Sequence, residues 1–135
     1  MRYLLDTNIC IYIIKKKPRV LVKKFENYEI SDIAISSITF AELEYGIQKS
    51  AFSIQNRIAL HQFLAPLEIL PYDGHCACHY GKLRKFLEES GQVIGSLDML
   101  IASHCLALNY VLITNNEKKF ERIPDLKVRN WLKDL

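Results

Sequence analysis

Arg2-Tyr3-Leu4-Leu5-Asp6-Thr7-Asn8-Ile9 sets the reading of the whole chain. Residues 2–5 form a short apolar run of the kind that makes a buried strand. Asp6 follows it directly and can cap the start of a helix. The apolar pattern after Asp6 predicts a helix ending near Pro18. Similar runs stand at 33–36 (Ile-Ala-Ile-Ser), 67–72 and 111–114 (Val-Leu-Ile-Thr), with a weaker fifth at 127–131. Helical patterns lie between them, at about 18–27, 39–49, 53–64, 74–89 and 97–108. Strands alternating with helices predict an α/β fold, with a mostly parallel central sheet of four to five strands flanked by helices. The 135 residues, 50% of them apolar, suit one domain spanning 1–135, with no repeat, linker or low-complexity tract.

That topology gathers three acids. Ligands bind open parallel sheets outside the carboxyl ends of the strands. Asp6 directly follows the first strand, and Glu42 is expected to begin the helix after the second. Asp98 should begin the helix that precedes the fourth strand. Such a helix runs against its strand, so its N-terminus lies at the same carboxyl edge. Thr114-Asn115-Asn116 leaves the fourth strand there too, and Asn8 adds another neutral polar group.

Each acid alone has a local explanation. Asp6 can be a cap, Thr39 and Glu42 are spaced as a capping box, and Asp98 favours a helix dipole. Gathered at one edge, they repel. Two unit charges about 4 Å apart cost about 4 kcal/mol at an effective dielectric of about 20. A hard divalent ion turns that cost into a binding site, and an all-oxygen donor set with room for water suits Mg²⁺ or Mn²⁺ better than zinc.

Charge and cysteine usage narrow the setting. Eighteen basic residues against 15 acidic give a net charge of +3, too mild to prove nucleic-acid binding. The basic residues cluster, however, at Lys15, Lys16, Lys17 and Arg19, at Lys82, Arg84 and Lys85, and at Lys118, Lys119 and Arg122. Basic clusters beside an acidic metal site suit a polyanionic substrate, although any one cluster alone reads as a solvated helix face. No apolar run approaches the roughly 20 residues needed to cross a membrane, and no long apolar leader opens the chain. A cytoplasmic protein with no membrane partner is expected. Cys10, Cys76, Cys78 and Cys105 then need not pair.

Met-Arg-Tyr-Leu-Leu-Asp-Thr-Asn-Ile-Cys-Ile-Tyr at 1–12 resembles the opening of PIN-domain toxins of the VapC type. The resemblance continues through Ile-Ser-Ser-Ile-Thr-Phe-Ala-Glu-Leu-Glu-Tyr-Gly at 35–46 and Ile-Gly-Ser-Leu-Asp-Met-Leu-Ile-Ala at 94–102. It resumes at Leu-Ile-Thr-Asn-Asn-Glu-Lys-Lys-Phe at 112–120 and closes on Arg-Asn-Trp at 129–131. No single motif is very specific, but the ordered set covers essentially the whole chain. It implies a PIN-like nuclease domain: a metal-dependent endoribonuclease, the toxin of a toxin–antitoxin pair, with Mg²⁺ as cofactor and Mn²⁺ as substitute.

The motif matches place the core acids, catalytic and metal-holding, on Asp6, Glu42 and Asp98. Asp6 and Asp98 hold the ion, and Glu42 completes the shell or orients the nucleophile. Asn8, Asn116 and Glu117 are substrate-positioning or supporting candidates. Many relatives carry a fourth acid just after the fourth strand, where this chain has Asn115 and Asn116; some carry it near Lys119. Glu117 and Glu121 are nearby substitutes, so one firmly held ion is expected, with a weaker one completed by substrate. The resemblance also implies an RNA substrate, a homodimer and a small cognate antitoxin bound across helices at about 9–27. Ile9, Ile11, Tyr12, Ile13 and Ile14 surround much of the first helix with apolar groups, as a buried or docking helix requires.

The alternatives are a PIN-like nuclease of RNA maturation outside any toxin pair and a catalytically silent RNA-binding module. Retention of three mutually repelling acids speaks against the second. His75-Cys-Ala-Cys-His79 resembles a zinc cluster, but Cys76 and Cys78 would point about 200° apart on a helix. His61 and His104 read as ordinary surface or core histidines, and Glu44 lies about 200° around its helix from Glu42.

Overall fold

The computed structural model describes residues 1–133. Five strands form one sheet in the order β3-β2-β1-β4-β5, and every pairing is parallel. The strands are β1 (Tyr3–Leu5), β2 (Ile33–Ser36), β3 (Glu68–Leu70), β4 (Val111–Ile113) and β5 (Lys127–Arg129). The first three build outward from the centre in one direction, and the chain then crosses to place β4 and β5 on the other side of β1. The direction reverses between β1 and β4, which makes the carboxyl ends of those two strands the switch point where ligands bind such sheets.

Alternation within the strands supplies two cores. Leu5, Ile33, Ile35, Val111 and Ile113 face one side, with Ile9, Ile13, Leu43, Leu60 and Trp131 packed on them. Leu4, Ala34 and Leu112 face the other, under Leu83, Leu87, Met99, Ile101 and Phe120. Successive side chains on a strand point to opposite faces, so continuous apolar runs are what a sheet covered on both sides demands.

The helices are α1 (Thr7–Ile14), α2 (Arg19–Glu26), α3 (Ser37–Gln48), α4 (Ser53–Leu64), α5 (Gly74–Glu89), α6 (Ser96–Leu108) and α7 (Glu117–Phe120). The expected helices at 53–64 and 74–89 match α4 and α5. Asp73 caps α5 by accepting from Cys76 N at 3.1 Å. α6 ends on Asn109, whose left-handed backbone (φ 57°) is a common helix stop for Asn. A 3-10 turn at Ile30–Asp32 and the short α7 were not expected from the sequence.

α3 corrects the capping box. The helix starts two residues before the predicted 39, because the Ser36 hydroxyl caps it by accepting from Ile38 N at 3.0 Å. Thr39 is fully buried inside the helix, and Glu42 stands at its sixth residue, well past the first turn.

Candidate active site

Asp6 joins β1 to α1 and does two jobs at once. Its backbone N–H donates to Ile113 O at 3.0 Å, extending the β1–β4 ladder. Its side chain caps α1 by accepting from Ile9 N at 2.9 Å. The Thr114 hydroxyl, fully buried at the end of β4, also donates to it. Only 7% of Asp6 is exposed. Burial pushes its carboxyl up to about 6, against the two hydrogen bonds and the Lys119 charge, which favour ionisation; the negative charge of Asp98 pushes it further up. This is what a carboxylate shows when it is desolvated beside a second carboxylate.

Asp98 comes from the first turn of α6, where the helix dipole favours an anion. Its Oδ2 accepts from Lys119 Nζ at 2.9 Å. Gly95, the residue before α6, leaves room for this carboxylate: a Cβ there would stand 3.2 Å from Asp98 Oδ2. Glu42 approaches from α3 and is held differently. Thr7 Oγ1 donates to Glu42 Oε1 at 2.6 Å and lies 3.5 Å from Thr39 Oγ1. The buried Cys10 thiol is pushed well up, first by burial and then by the charges of Asp6 and Glu42, which places both acids around the start of α1.

The three predicted acids thus meet at one sheet edge, but unequally. Asp6 and Asp98 form the inner pair, and Glu42 stands beside them, tied to Thr7. Among the described residues, no three His, Cys, Asp or Glu side chains close into a ready-made metal cage. Asp6 and Asp98 are the oxygen donors that would hold a hard divalent ion here, with Glu42 nearby. The raised Asp6 carboxyl, buried beside Asp98, is one whose ionisation a nearby cation favours.

The supporting candidates divide. Asn8 is exposed and lines a groove with Thr7, Ile38, Glu42 and Leu97. Asn116 precedes α7 and is exposed, with its backbone N–H donating to Thr114 Oγ1 at 3.1 Å. Asn115 Nδ2 donates to Tyr12 OH at 3.2 Å. Glu117 engages Lys133 Nζ at 3.1 Å and Asn130 Nδ2 at 3.3 Å. Those cations and amides, which hold its carboxyl below its usual value, lie toward β5 and outside the acid cluster. Glu121 is exposed at the end of α7. Thr7, Thr114 and Lys119 were absent from the sequence reading as site residues, although the first two adjoin motif positions that were noticed.

The weaker candidates behave as expected. Cys76 is buried and Cys78 exposed, so the two thiols do not join one site with His75 and His79. Glu44 pairs with Arg57 at 2.8 Å, bridging α3 to α4. His61 is exposed, whereas His104 is buried and 2.8 Å from Ser36 Oγ.

Comparison with known proteins converges on one family. The PIN domain model matches residues 3–126. Ribonuclease VapC2 of Rickettsia felis is 48% identical over 135 residues, covering 97% of this chain and 98% of that protein. The tRNA(fMet)-specific endonuclease VapC of Salmonella typhimurium is 40% identical, covering 97% of this chain and 98% of its own. A crystal structure of DNA-bound VapBC from Salmonella typhimurium superimposes with a TM-score of 0.91 at 40% identity, over 97% of this chain and 98% of that one.

Proposed function

The chain belongs to the PIN-domain family, among the VapC ribonucleases, and from that premise we propose that it is a Mg²⁺-dependent endoribonuclease toxin cleaving RNA phosphodiester bonds. The observation that carries the proposal is Asp6: a carboxylate only 7% exposed, at the β1–β4 switch point, whose environment includes a second carboxylate.

Asp6 and Asp98 would hold the divalent ion, with Mn²⁺ as a substitute. Bound there, it would supply charge neutralisation on the phosphodiester and a more acidic water. The protein's own part is positioning. Ile9 N–H and Thr114 fix one carboxylate, Gly95 gives the other its room, and Thr7 holds Glu42 where it can orient the attacking water. Phosphoryl transfer depends chiefly on placement and charge neutralisation, so no histidine is required. Asn8 and Asn116 border the cleft and contact the RNA backbone or ion-bound water.

The partners follow from the same premise. A groove of about 270 Å³ between α1, α3 and α4 is lined by Ile11, Ile14, Leu43, Ile47 and Leu60, and a small antitoxin docks across it and the neighbouring α2. The active form is a homodimer working in the cytoplasm. No described helix is long and apolar enough to cross a membrane.

Inducible expression of wild type and Asp6→Ala, followed by sequencing of RNA 5′ ends, tests the proposal. Growth arrest with discrete new ends in wild type alone is expected, and initiator transfer RNA is the first substrate to inspect, given the Salmonella relative. Identical RNA ends from both strains would overturn it.

A further inference from the structure

Lys119 is placed with more care than a surface lysine needs. It sits on α7, directly before Phe120, which is 1% exposed and anchors that short helix in the core. Its ammonium meets Asp98 Oδ2 at 2.9 Å, and its charge also reaches Asp6. The side chains of Lys119 and Asp98 are 35% and 31% exposed, so the pair is open to solvent and its ions. The oxygen that Lys119 holds is the same Oδ2 that the absent side chain of Gly95 leaves free. One carboxylate oxygen therefore has two suitors: the ammonium that holds it and the divalent ion that the function requires.

We infer that Lys119 is a resident counter-ion of the active site, which competes with the divalent ion for Asp98 and moves onto a substrate phosphate once displaced. The inference rests on the metal-dependent nuclease reading above. Charge balance carries it. Asp6 and Asp98 offer two negative charges to an ion with two positive ones, so a lysine left in place would be repelled by the arriving ion. An RNA phosphate supplies the anion that the displaced ammonium needs. Metal loading and RNA binding then favour each other, and either ligand raises the affinity for the other by the same factor. Lys119 is thus a neutralising and positioning residue. It keeps the site from collecting ions without substrate.

Titration calorimetry with Mn²⁺ on the purified full chain tests this, using wild type, Lys119→Met, Lys119→Arg and Asp98→Asn. Lys119→Met is expected to bind Mn²⁺ about tenfold or more tightly than wild type, the scale set by removing one positive charge within a few ångströms of a divalent ion. Lys119→Arg keeps the charge and should stay near the wild-type affinity. In cleavage assays, Lys119→Met should need less Mn²⁺ for half-maximal rate yet be slower at saturation, because the phosphate has lost its ammonium. Equal Mn²⁺ affinity in wild type and Lys119→Met, both abolished by Asp98→Asn, would overturn the role of Lys119 and leave the metal site standing. Mn²⁺ binding that Asp98→Asn does not alter would instead overturn the metal assignment beneath it.

Discussion

Two polar clusters share the carboxyl edge of the sheet, and they are built on opposite principles. One, at the ends of β1 and β4, joins Asp6, Asp98 and Thr114. The other, at the ends of β2 and β3, joins Ser36, Tyr72, Ser103 and His104. In the second, the polar groups are paired with neutral partners. Ser36 Oγ accepts from Ile38 N and meets His104 Nδ1 at 2.8 Å. Tyr72 OH lies 2.7 Å from Ser103 Oγ and donates to Cys76 O at 3.2 Å. The Tyr72 and His104 rings pack edge to face, with centroids 5.5 Å apart. Such a closed network braces the start of α3 against α6. In the first cluster two carboxylates share a single ammonium, that of Lys119, so their charges do not cancel. The contrast separates two uses of buried polarity: a satisfied network fixes geometry, and an unsatisfied one waits for a ligand.

Catalysis is where the two should diverge most. Asp6→Ala, Asp98→Ala and Glu42→Ala are each expected to slow single-turnover RNA cleavage by about a thousandfold or more, a loss on the scale of the several kcal/mol that an ion contributes to a transition state. Pairs of these substitutions should cost little more than one alone, since the acids serve one ion. His104→Gln should leave the rate within about tenfold, a modest positioning effect. A collapse of activity in His104→Gln matching Asp6→Ala would erase the distinction.

Stability should divide the clusters the other way. Folding raises the Asp6 carboxyl from 3.8 to about 6. The folded state therefore disfavours the ionised form: the penalty is absent below 3.8 and complete above about 6, where it amounts to about 3 kcal/mol. Asp6→Asn keeps a good helix cap and removes the charge. Urea denaturation in EDTA should show Asp6→Asn more stable than wild type at pH 7.5, by up to that amount, with no gain at pH 3.8. His104→Ala should be less stable by about 2 kcal/mol, from the cavity and the stranded Ser36 hydroxyl.

The two clusters also carry opposite pH dependences. Burial lowers the His104 imidazole below its ordinary 6.5, with the charge of Asp73 opposing the shift weakly. The unfolded chain then takes up the proton first, so this contribution is full above 6.5 and is lost as pH falls through the depressed folded value. Between pH 7.5 and 5, Asp6→Asn should expose the falling His104 slope, and His104→Gln should expose the rising Asp6 slope. Parallel slopes in the two variants would show that one of the assignments is wrong. The smallest expected effect belongs to Gly95→Ala. Its new methyl would press on Asp98 Oδ2 at 3.2 Å. About a fivefold loss of cleavage, measured at saturating Mn²⁺, is expected from so small a displacement of a positioning group.

What could be read from the sequence follows the range of the forces involved. Period and apolarity are local, so the strand and helix pattern and the parallel sheet were visible, and the topology alone carried Asp6, Glu42 and Asp98 to one edge. Helix starts were less secure. Thr39 and Glu42 have capping-box spacing, but β2 ends on Ser36, whose hydroxyl reaches Ile38 N first. The helix begins earlier, and Glu42 turns to Thr7 across 35 positions of sequence. The Lys119–Asp98 contact spans 21 positions and has no local signature. Glu117 looked as well placed as Lys119 by sequence distance. Two residues along α7, about 200° around the helix, decide otherwise, sending Glu117 toward Asn130 and Lys133.

The strand order has a last consequence, in time. β1 leaves the ribosome well before its neighbour β4, with which it pairs through Tyr3 and Val111. Asp6 cannot meet Asp98, Thr114 or Lys119 until those later residues have emerged. A nascent product that stops just before Asp98 therefore carries Asp6 and Glu42 but neither the third acid nor the β4 strand beside which Asp6 is set. The order of synthesis thus acts as a timer: the acid cluster forms only after residues from both halves of the sheet have been made.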